Sequence, residues 1–221
     1  MAYRHVLFDL DGTLTDPAEG ITGSVAWALE RSGVTPPPRE ELYRFIGPPL
    51  VEAFMEFYGF SEERARKALE YYRERYVPRG IYEVYVYSGI PEMLKTLRDA
   101  GLTLAVATSK PEVFARSILS RFGLDVYFDF IGGSTLDERM VGKADIIRYV
   151  LNSLGADTRE SLMVGDRRHD AEGARANGID CIGVLFGYGS REELEHAGVL
   201  ALAADPGEAA EFILRRRAEE L

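Results

Sequence analysis

The sequence is poor in cysteine and in long apolar stretches. Its single cysteine, Cys181, excludes an intramolecular disulfide bond and is compatible with a reducing compartment. No stretch approaches the ~20 uncharged apolar residues that a membrane-spanning helix needs. No signal-peptide pattern precedes the first apolar run, which begins at Val6. We therefore expect a cytoplasmic protein that has no membrane partner.

Positive charge is also scarce. Acidic residues outnumber basic residues 36 to 26, which gives a formal net charge of −10. A surface of this charge repels nucleic acid and anionic lipid, so we expect no nucleic-acid partner. The glycine-rich signatures of nucleotide-driven motors and of dinucleotide enzymes are missing from the sequence.

Apolar residues make up 46% of the 221 residues, which is enough for a packed core. Short apolar runs, typical of parallel strands covered on both faces, lie at 4–8, 102–108, 128–132, 161–164 and 181–185. Helical patterns that end at glycines separate them, at 91–100, 111–122, 143–154 and 169–177. This alternation predicts an α/β fold with a mostly parallel sheet. For a doubly wound, Rossmann-like sheet of this kind we expect the strand order 3-2-1-4-5.

The connection between the first two predicted strands is far longer than a crossover requires. Its extra residues show helical patterns, and the first of these begins at Asp16-Pro17 and closes at Gly33. We therefore predict two domains: an α/β core at 1–14 and 88–221, and an inserted α-helical cap at 15–87. An insert directly after a strand is typical of a lid over a site.

Two acidic residues follow the first predicted strand, in Asp9-Leu10-Asp11-Gly12-Thr13. Alternate residues of an extended chain point to the same side, so Asp9 and Asp11 face one spot beyond the strand. Carboxylates that close together repel each other unless a cation or a shared proton offsets their charge. A simple Asp-Gly turn is the alternative interpretation of this pentapeptide in isolation.

Other predicted strands also end in polar residues. Thr108 ends the second strand, Lys143 opens the helix after the third, and Asp166 follows the fourth, with Asp170 one helical turn further on. In a doubly wound sheet these positions converge outside the carboxyl ends of the strands. Several acids form an oxygen site for a hard cation such as Mg²⁺, whereas a hydroxyl and a lysine suit phosphate. The acids would repel phosphate unless a metal reverses the local charge.

The motifs at these strand ends are Asp9-Leu10-Asp11-Gly12-Thr13, Thr108, Lys143 and Gly165-Asp166-Arg167-Arg168-His169-Asp170. Their order and spacing resemble those of the haloacid dehalogenase superfamily, from about residue 4 to residue 198. The insert is similar to the small cap that some members carry between their first two motifs. Within the superfamily the chain looks like the phosphoglycolate phosphatase and 5′-nucleotidase-like group. This narrower likeness is carried by Ile46-Gly47-Pro48-Pro49-Leu50 and Phe186-Gly187-Tyr188-Gly189-Ser190.

The resemblance implies a Mg²⁺-dependent phosphatase that acts on a small soluble phosphate monoester, such as phosphoglycolate or a nucleoside monophosphate. Asp9 would be the nucleophile that forms an aspartyl-phosphate, and Asp11 would be the acid and then the base of the two half-reactions. Asp9, the backbone carbonyl of Asp11 and Asp166 would bind Mg²⁺. Asp170 would lie beside these ligands without binding the metal directly.

The resemblance also implies a set of phosphate contacts. Thr108, the backbone N–H of Ser109 and Lys143 would hold the phosphoryl group, and Gly47 of the cap would contact the substrate. Alanine follows Lys143, where the family often has proline, so Lys110 is an alternative to Lys143.

Several alternatives remain at this point. A sugar-phosphate mutase, a pyrophosphatase and a non-catalytic phosphate-binding module are each compatible with the fold. Asp11 argues against carbon–halogen cleavage, because dehalogenases of the superfamily lack this second acid. For Arg167 and Arg168 we expect ion pairs with local acids rather than substrate contacts. We expect a monomer or a weak dimer.

Overall fold

The structure, a computed structural model, describes residues 3–137 and 139–218. The chain divides into two units, one made of Met1–Thr15 with Val86–Leu221 and the other of Asp16–Tyr85. The predicted domain ranges also contain residues 1, 2, 138 and 219–221, which lie outside the described residues.

The strands in the described part of the chain are β1 His5–Phe8, β2 Thr15–Asp16, β3 Tyr85–Val86, β4 Thr103–Pro111, β5 Phe130–Ser134, β6 Ser161–Gly165, β7 Asp180–Val184 and β8 Ala201–Ala203. β2 and β3 form a two-stranded sheet, and the others form a six-stranded sheet in the order β5-β4-β1-β6-β7-β8. Neighbouring strands of the larger sheet are parallel. The predicted α/β class and the order of the five predicted strands are confirmed. The outer strand β8 is not predicted from the sequence, because its 3 residues are too few to form a pattern.

The α-helices are α1 Ala18–Arg31, α2 Leu50–Tyr58, α3 Glu62–Tyr76, α4 Ile90–Asp99, α5 Glu112–Arg121, α6 Lys143–Leu154, α7 Arg168–Ala176, α8 Arg191–Ala197 and α9 Pro206–Ala218. Short 3₁₀ helices lie at Arg39–Phe45, Gly80–Tyr82, Asp125–Tyr127 and Thr158–Glu160. Glycine ends α6 as predicted, since Gly155 adopts a φ of 60° that other residues rarely adopt. Across the described residues we find no helix whose length and apolar character suit a membrane span.

The core explains why the strands are apolar almost without interruption. On one face of the sheet, Leu7, Met163 and Cys181 pack with α6 and α7 residues such as Ile147 and Ala174. The alternate strand residues, which point to the opposite face, are buried as well: Val6, Phe8, Leu104, Val106, Leu162, Val164 and Ile182. Because both faces are covered, both sets of side chains must be apolar.

Strand register brings the candidate residues to one edge of the sheet. Phe8 of β1 is aligned with Val106 of β4 on one side and with Val164 of β6 on the other. The residues that follow in each strand therefore emerge at the same level. This register places Asp9, Thr108 and Asp166 together at the carboxyl edge.

The second unit contains a partly buried ionic cluster. Arg75 of α3 lies 2.9 Å from the Glu83 carboxylate and donates to Ser24 of α1, and Arg79 also donates to Glu83. A methyl group on Gly20 of α1 would lie 2.1 Å from the carbonyl oxygen of Gly80, so these segments are in close contact. The cluster thus fastens both ends of the unit to each other.

We expect Glu83→Gln to lower the free energy of unfolding by roughly 1–3 kcal/mol at neutral pH, because it removes a charge-assisted acceptor from Arg75. The side chains of Arg75 and Glu83 are only 19% and 14% exposed. The matched control is Glu62→Gln, whose partner Arg66 and own side chain are 54% and 64% exposed, and it should cost less than about 0.5 kcal/mol. Urea denaturation measures both, and equal losses would contradict a special role for the cluster.

Candidate active site

Asp9 begins the turn that follows β1. Its backbone N–H donates to Val164 of β6, and one carboxylate oxygen, Oδ1, accepts from the N–H of Leu10 at 2.8 Å. The chain then turns back, with the N–H of Gly12 bonded to the carbonyl of Thr15 at 2.8 Å. This turn needs the positive φ of 86° that Gly12 adopts. Asp9 is therefore fixed by backbone on two sides.

Lys143, the first residue of α6, lies between two carboxylates. Its Nζ is 2.9 Å from Asp9 Oδ1 and 2.9 Å from Asp170 Oδ1, and it donates to the carbonyl of Ala107 at 3.2 Å. Burial acts to lower the pKa of Lys143, but Asp170 and Asp9 outweigh it and raise that pKa above its usual value. The ammonium group therefore stays charged across the physiological pH range.

Lys110 is a second buried cation, and it binds a different acid. Its Nζ donates to Asp11 Oδ2. β4 continues past Thr108 through an irregularity in register and ends at Pro111, rather than ending at Thr108 as predicted. This extension places Lys110 in the site. The two lysines are therefore not alternatives, since each one pairs with its own carboxylate.

The predicted phosphate contacts differ in their surroundings. The Thr108 side chain is buried, and its Oγ1 accepts from the N–H of Lys110 at 3.2 Å. Ser109 is half-buried beside it. Gly47 belongs to the other unit, where it lies in the bend before α2 with a φ of 107°.

Asp9, Asp166 and Asp170 form a buried group in which one carboxylate oxygen from each residue lies within 4.8 Å of the others. Asp166 Oδ2 accepts from the N–H of Tyr188 at 2.7 Å. The two oxygens of Asp170 have separate partners, since Oδ1 is close to Lys143 and Oδ2 accepts from the N–H of Arg167 at 3.1 Å.

Asp166 has no cationic partner among the described residues, and its side chain is fully buried. Burial, together with the charges of Asp170 and Asp9, raises the pKa of Asp166 well above its usual range. Burial also raises the pKa of Asp170, to about 6, and the pKa of Asp11. Burial thus favours protonation of all three acids, and the opposing charge of a lysine acts only on Asp11 and Asp170.

The charge balance of the site fits a divalent cation. Every buried charged residue of the described part of the chain is found here: Asp9, Asp11, Asp166, Asp170, Lys110 and Lys143. Four carboxylates against two ammonium groups leave an excess negative charge. An excess of buried carboxylate oxygens suits a hard cation such as Mg²⁺.

Glycines allow the chain to pack directly on the acids. A methyl group on Gly12 would lie 2.2 Å from the Asp166 carboxylate, and one on Gly189 would lie 1.9 Å from the Asp166 carbonyl oxygen. Gly187 is equally close to Asp166, and Gly165 to Asp170. The segment after β7 is therefore part of the site. Its signal in the sequence is the pair of glycines that flank Tyr188 just beyond a strand.

Comparison with known proteins gives consistent matches. A sequence profile described as haloacid dehalogenase-like hydrolase matches residues 6–184. A 5′-nucleotidase of Pseudomonas aeruginosa is 52% identical over 194 residues, which cover 88% of each chain. A phosphoglycolate phosphatase of Rhodospirillum rubrum is 34% identical over 212 residues, which cover 91% of this chain and 87% of that one.

Two further matches are a relative named as a kinase and a solved crystal structure. The tyrosine-protein kinase PtkA of Mycobacterium tuberculosis is 40% identical over 190 residues, which cover 86% of this chain and 65% of the kinase. The crystal structure of a predicted phosphatase from Clostridium acetobutylicum gives a TM-score of 0.96 at 46% identity, and the match covers 97% of this chain and 100% of that one.

We expect Asp166→Asn to stabilise the metal-free protein. Because the pKa of Asp166 is higher in the folded than in the unfolded state, the folded chain holds a proton that the unfolded chain releases above about pH 4. Stability is therefore lost as the pH rises, and asparagine removes this loss while it keeps an oxygen for the N–H of Tyr188. The gain should be about 1–3 kcal/mol at pH 7.5 and smaller at pH 5.

Denaturant unfolding in EDTA at the two pH values measures this difference. Asp99→Asn is the control, because Asp99 is an exposed acid that pairs with Lys95 at the surface. A less stable Asp166→Asn protein at pH 7.5 would contradict the assignment of excess buried charge.

Proposed function

Since this chain belongs to the haloacid dehalogenase-like hydrolase family and is a phosphatase, we propose that it uses Mg²⁺ to hydrolyse a small phosphate monoester through an aspartyl-phosphate on Asp9. The observation that carries the proposal is the position of Asp9. Asp9 lies between Lys143, with which it forms an ion pair, and the carboxylate of Asp166, which has no cationic partner among the described residues. A phosphate group can be bound there only when the local negative charge is reversed.

Asp9 is the proposed nucleophile. Its Oδ1 is held by the N–H of Leu10 and by Lys143, so the carboxylate is oriented and its other oxygen, Oδ2, can attack phosphorus. In the first step the Oδ2–P bond forms as the bond from phosphorus to the leaving oxygen breaks. In the second step water attacks the same phosphorus and frees the Asp9 carboxylate and inorganic phosphate.

Asp11 is the proposed acid and base. It gives a proton to the leaving oxygen in the first step and takes one from the attacking water in the second. Burial raises the pKa of Asp11, and Lys110 opposes that rise. A raised pKa suits a carboxyl group that must carry a proton into the reaction.

The remaining residues provide charge and position. Thr108 and the N–H of Ser109 would bind phosphoryl oxygens, and the Lys143 ammonium group would offset charge on the phosphate as it is transferred. Asp9, the Asp11 carbonyl and Asp166 would hold Mg²⁺, which supplies electrostatic stabilisation of the phosphoryl oxygens. Asp170 would act on the metal indirectly, because both of its oxygens are engaged by Lys143 and by the N–H of Arg167.

Substrate choice belongs to the proposed cap at 15–87, where Gly47 is the proposed specificity contact. Phosphoglycolate and nucleoside monophosphates are the proposed substrates, in keeping with the names of the two phosphatase relatives. We place the protein in the cytoplasm, as a monomer or a weak dimer. A mutase or a pyrophosphatase would use the same core.

The direct test is phosphate release from a panel of monoesters, with Mg²⁺ and with EDTA. The panel contains phosphoglycolate, nucleoside monophosphates, hexose phosphates and pyrophosphate. We expect release from a monoester only with Mg²⁺, because the excess carboxylate charge repels the phosphate otherwise. Preference for pyrophosphate, or isomerisation of a hexose phosphate without release, would favour the alternatives. Equal rates in EDTA would exclude the metal.

Replacing the nucleophile tests the covalent step. Asp9→Asn should lower the rate by at least about 10³-fold, because an amide cannot form the acyl-phosphate. Acid-quenched wild-type protein should carry phosphate on the peptide that contains Asp9, and the variant should not. Asp99→Asn is the control and should keep the wild-type rate, since this acid is exposed and pairs with Lys95. Wild-type turnover by Asp9→Asn would overturn the mechanism.

A further inference from the structure

Arg167 and Arg168 stand inside the motif that carries Asp166 and Asp170. Arg168 pairs with Glu172 of its own helix at the surface. The Arg167 side chain instead binds Glu193 of α8, with Nε 2.9 Å from Oε1. The expectation of a local acid is thus met for Arg168, whereas the Arg167 partner is distant in sequence.

Glu193 binds this motif at a second point. The same oxygen, Oε1, also accepts from the N–H of Arg168 at 2.9 Å, and this N–H opens α7. The carboxylate therefore joins a side chain and a backbone group of adjacent residues. The side chains of Arg167 and Glu193 are 14% and 22% exposed, so water screens this pair only partly.

The backbone of Glu193 is itself held in place. The N–H of Glu193 donates to Ser190 Oγ at 3.1 Å, which caps α8 at its N-terminus. Burial raises the pKa of Glu193, but the N–H of Arg168 and the Arg167 guanidinium group outweigh it and lower that pKa. Glu193 is therefore ionised and oriented at neutral pH.

The residues that Glu193 holds lie directly beside the acids of the site. Arg167 follows Asp166, and the N–H of Arg167 donates to Asp170 Oδ2 at 3.1 Å. On the other side, the N–H of Tyr188 holds Asp166 Oδ2, and Tyr188 stands in the segment that leads into α8. α8 and the segment before it thus contact the acidic motif through Tyr188 and Glu193.

We propose that Glu193 is a positioning residue, which holds Arg167 and Arg168 so that Asp166 and Asp170 keep the geometry needed to bind Mg²⁺. This proposal rests on the proposed Mg²⁺ site. Buried carboxylates repel one another, so they move apart unless contacts from outside the group hold them together. The Glu193 carboxylate supplies such contacts. Residues that orient metal ligands typically change metal affinity by about 10- to 100-fold when removed.

The test is calorimetric titration of the whole 221-residue chain with Mg²⁺ alone. We expect Glu193→Ala to raise the Kd for Mg²⁺ about 10- to 100-fold. Glu193→Gln should recover part of this loss, because its amide oxygen still accepts from the N–H of Arg168. The matched control is Glu192→Ala on the same helix turn, which is exposed and should leave the Kd unchanged.

Thermal unfolding in EDTA separates positioning from simple stability. If Glu193→Ala lowers the melting temperature but leaves the Kd for Mg²⁺ within about twofold of wild type, Glu193 only stabilises the fold and the proposal is overturned. If Glu193→Ala does not fold, Glu193→Gln and Arg167→Met decide the matter, and wild-type affinity in both overturns it. If the wild-type protein does not bind Mg²⁺, the proposed function fails first, and this inference fails with it.

Discussion

Electrostatic repulsion among four buried carboxylates is the constraint that shapes the first unit. The folded chain compensates part of it with two lysines from different elements, one at the end of β4 and one at the start of α6. The backbone N–H groups of Leu10, Arg167 and Tyr188 offset a further part of the carboxylate charge. The compensation is incomplete at Asp166, and the excess carboxylate charge that remains there suits a cation.

The close packing of the sheet holds these charged residues in position. Strands covered on both faces cannot tilt without opening the core, so the residues that follow them keep their relative positions. Glycines complete the arrangement, because the segments around Gly12 and Gly189 pass closer to Asp166 than any side chain would allow. Rigid packing and close backbone approach together keep like charges near each other.

Much of this could be predicted from local sequence patterns. The continuous apolar runs were enough to predict parallel strands, and the positions of Asp9, Thr108 and Asp166 at strand ends were enough to predict a shared edge. The strand order followed from the expectation of a doubly wound sheet. The role of Lys110 could not be predicted, because it depends on an irregularity in β4 that leaves no pattern. The pairing of Arg167 with Glu193 was missed for another reason. Many acids are equally available to an arginine until tertiary structure selects one. β8 was missed because it is short and depends on β7 for its pairing.

Because no cationic side chain of the described residues pairs with the Asp166 carboxylate, the site also binds protons when it holds no metal. Burial raises the pKa of Asp166 and of Asp170, so in the metal-free protein these acids keep their protons to a higher pH than exposed acids do. A cation that enters must displace these protons, so binding releases them into the surrounding buffer. The apparent affinity for any such cation therefore increases with pH, and the heat of binding includes the ionisation heat of the buffer. Acidification would thus empty the site through competition between protons and the cation.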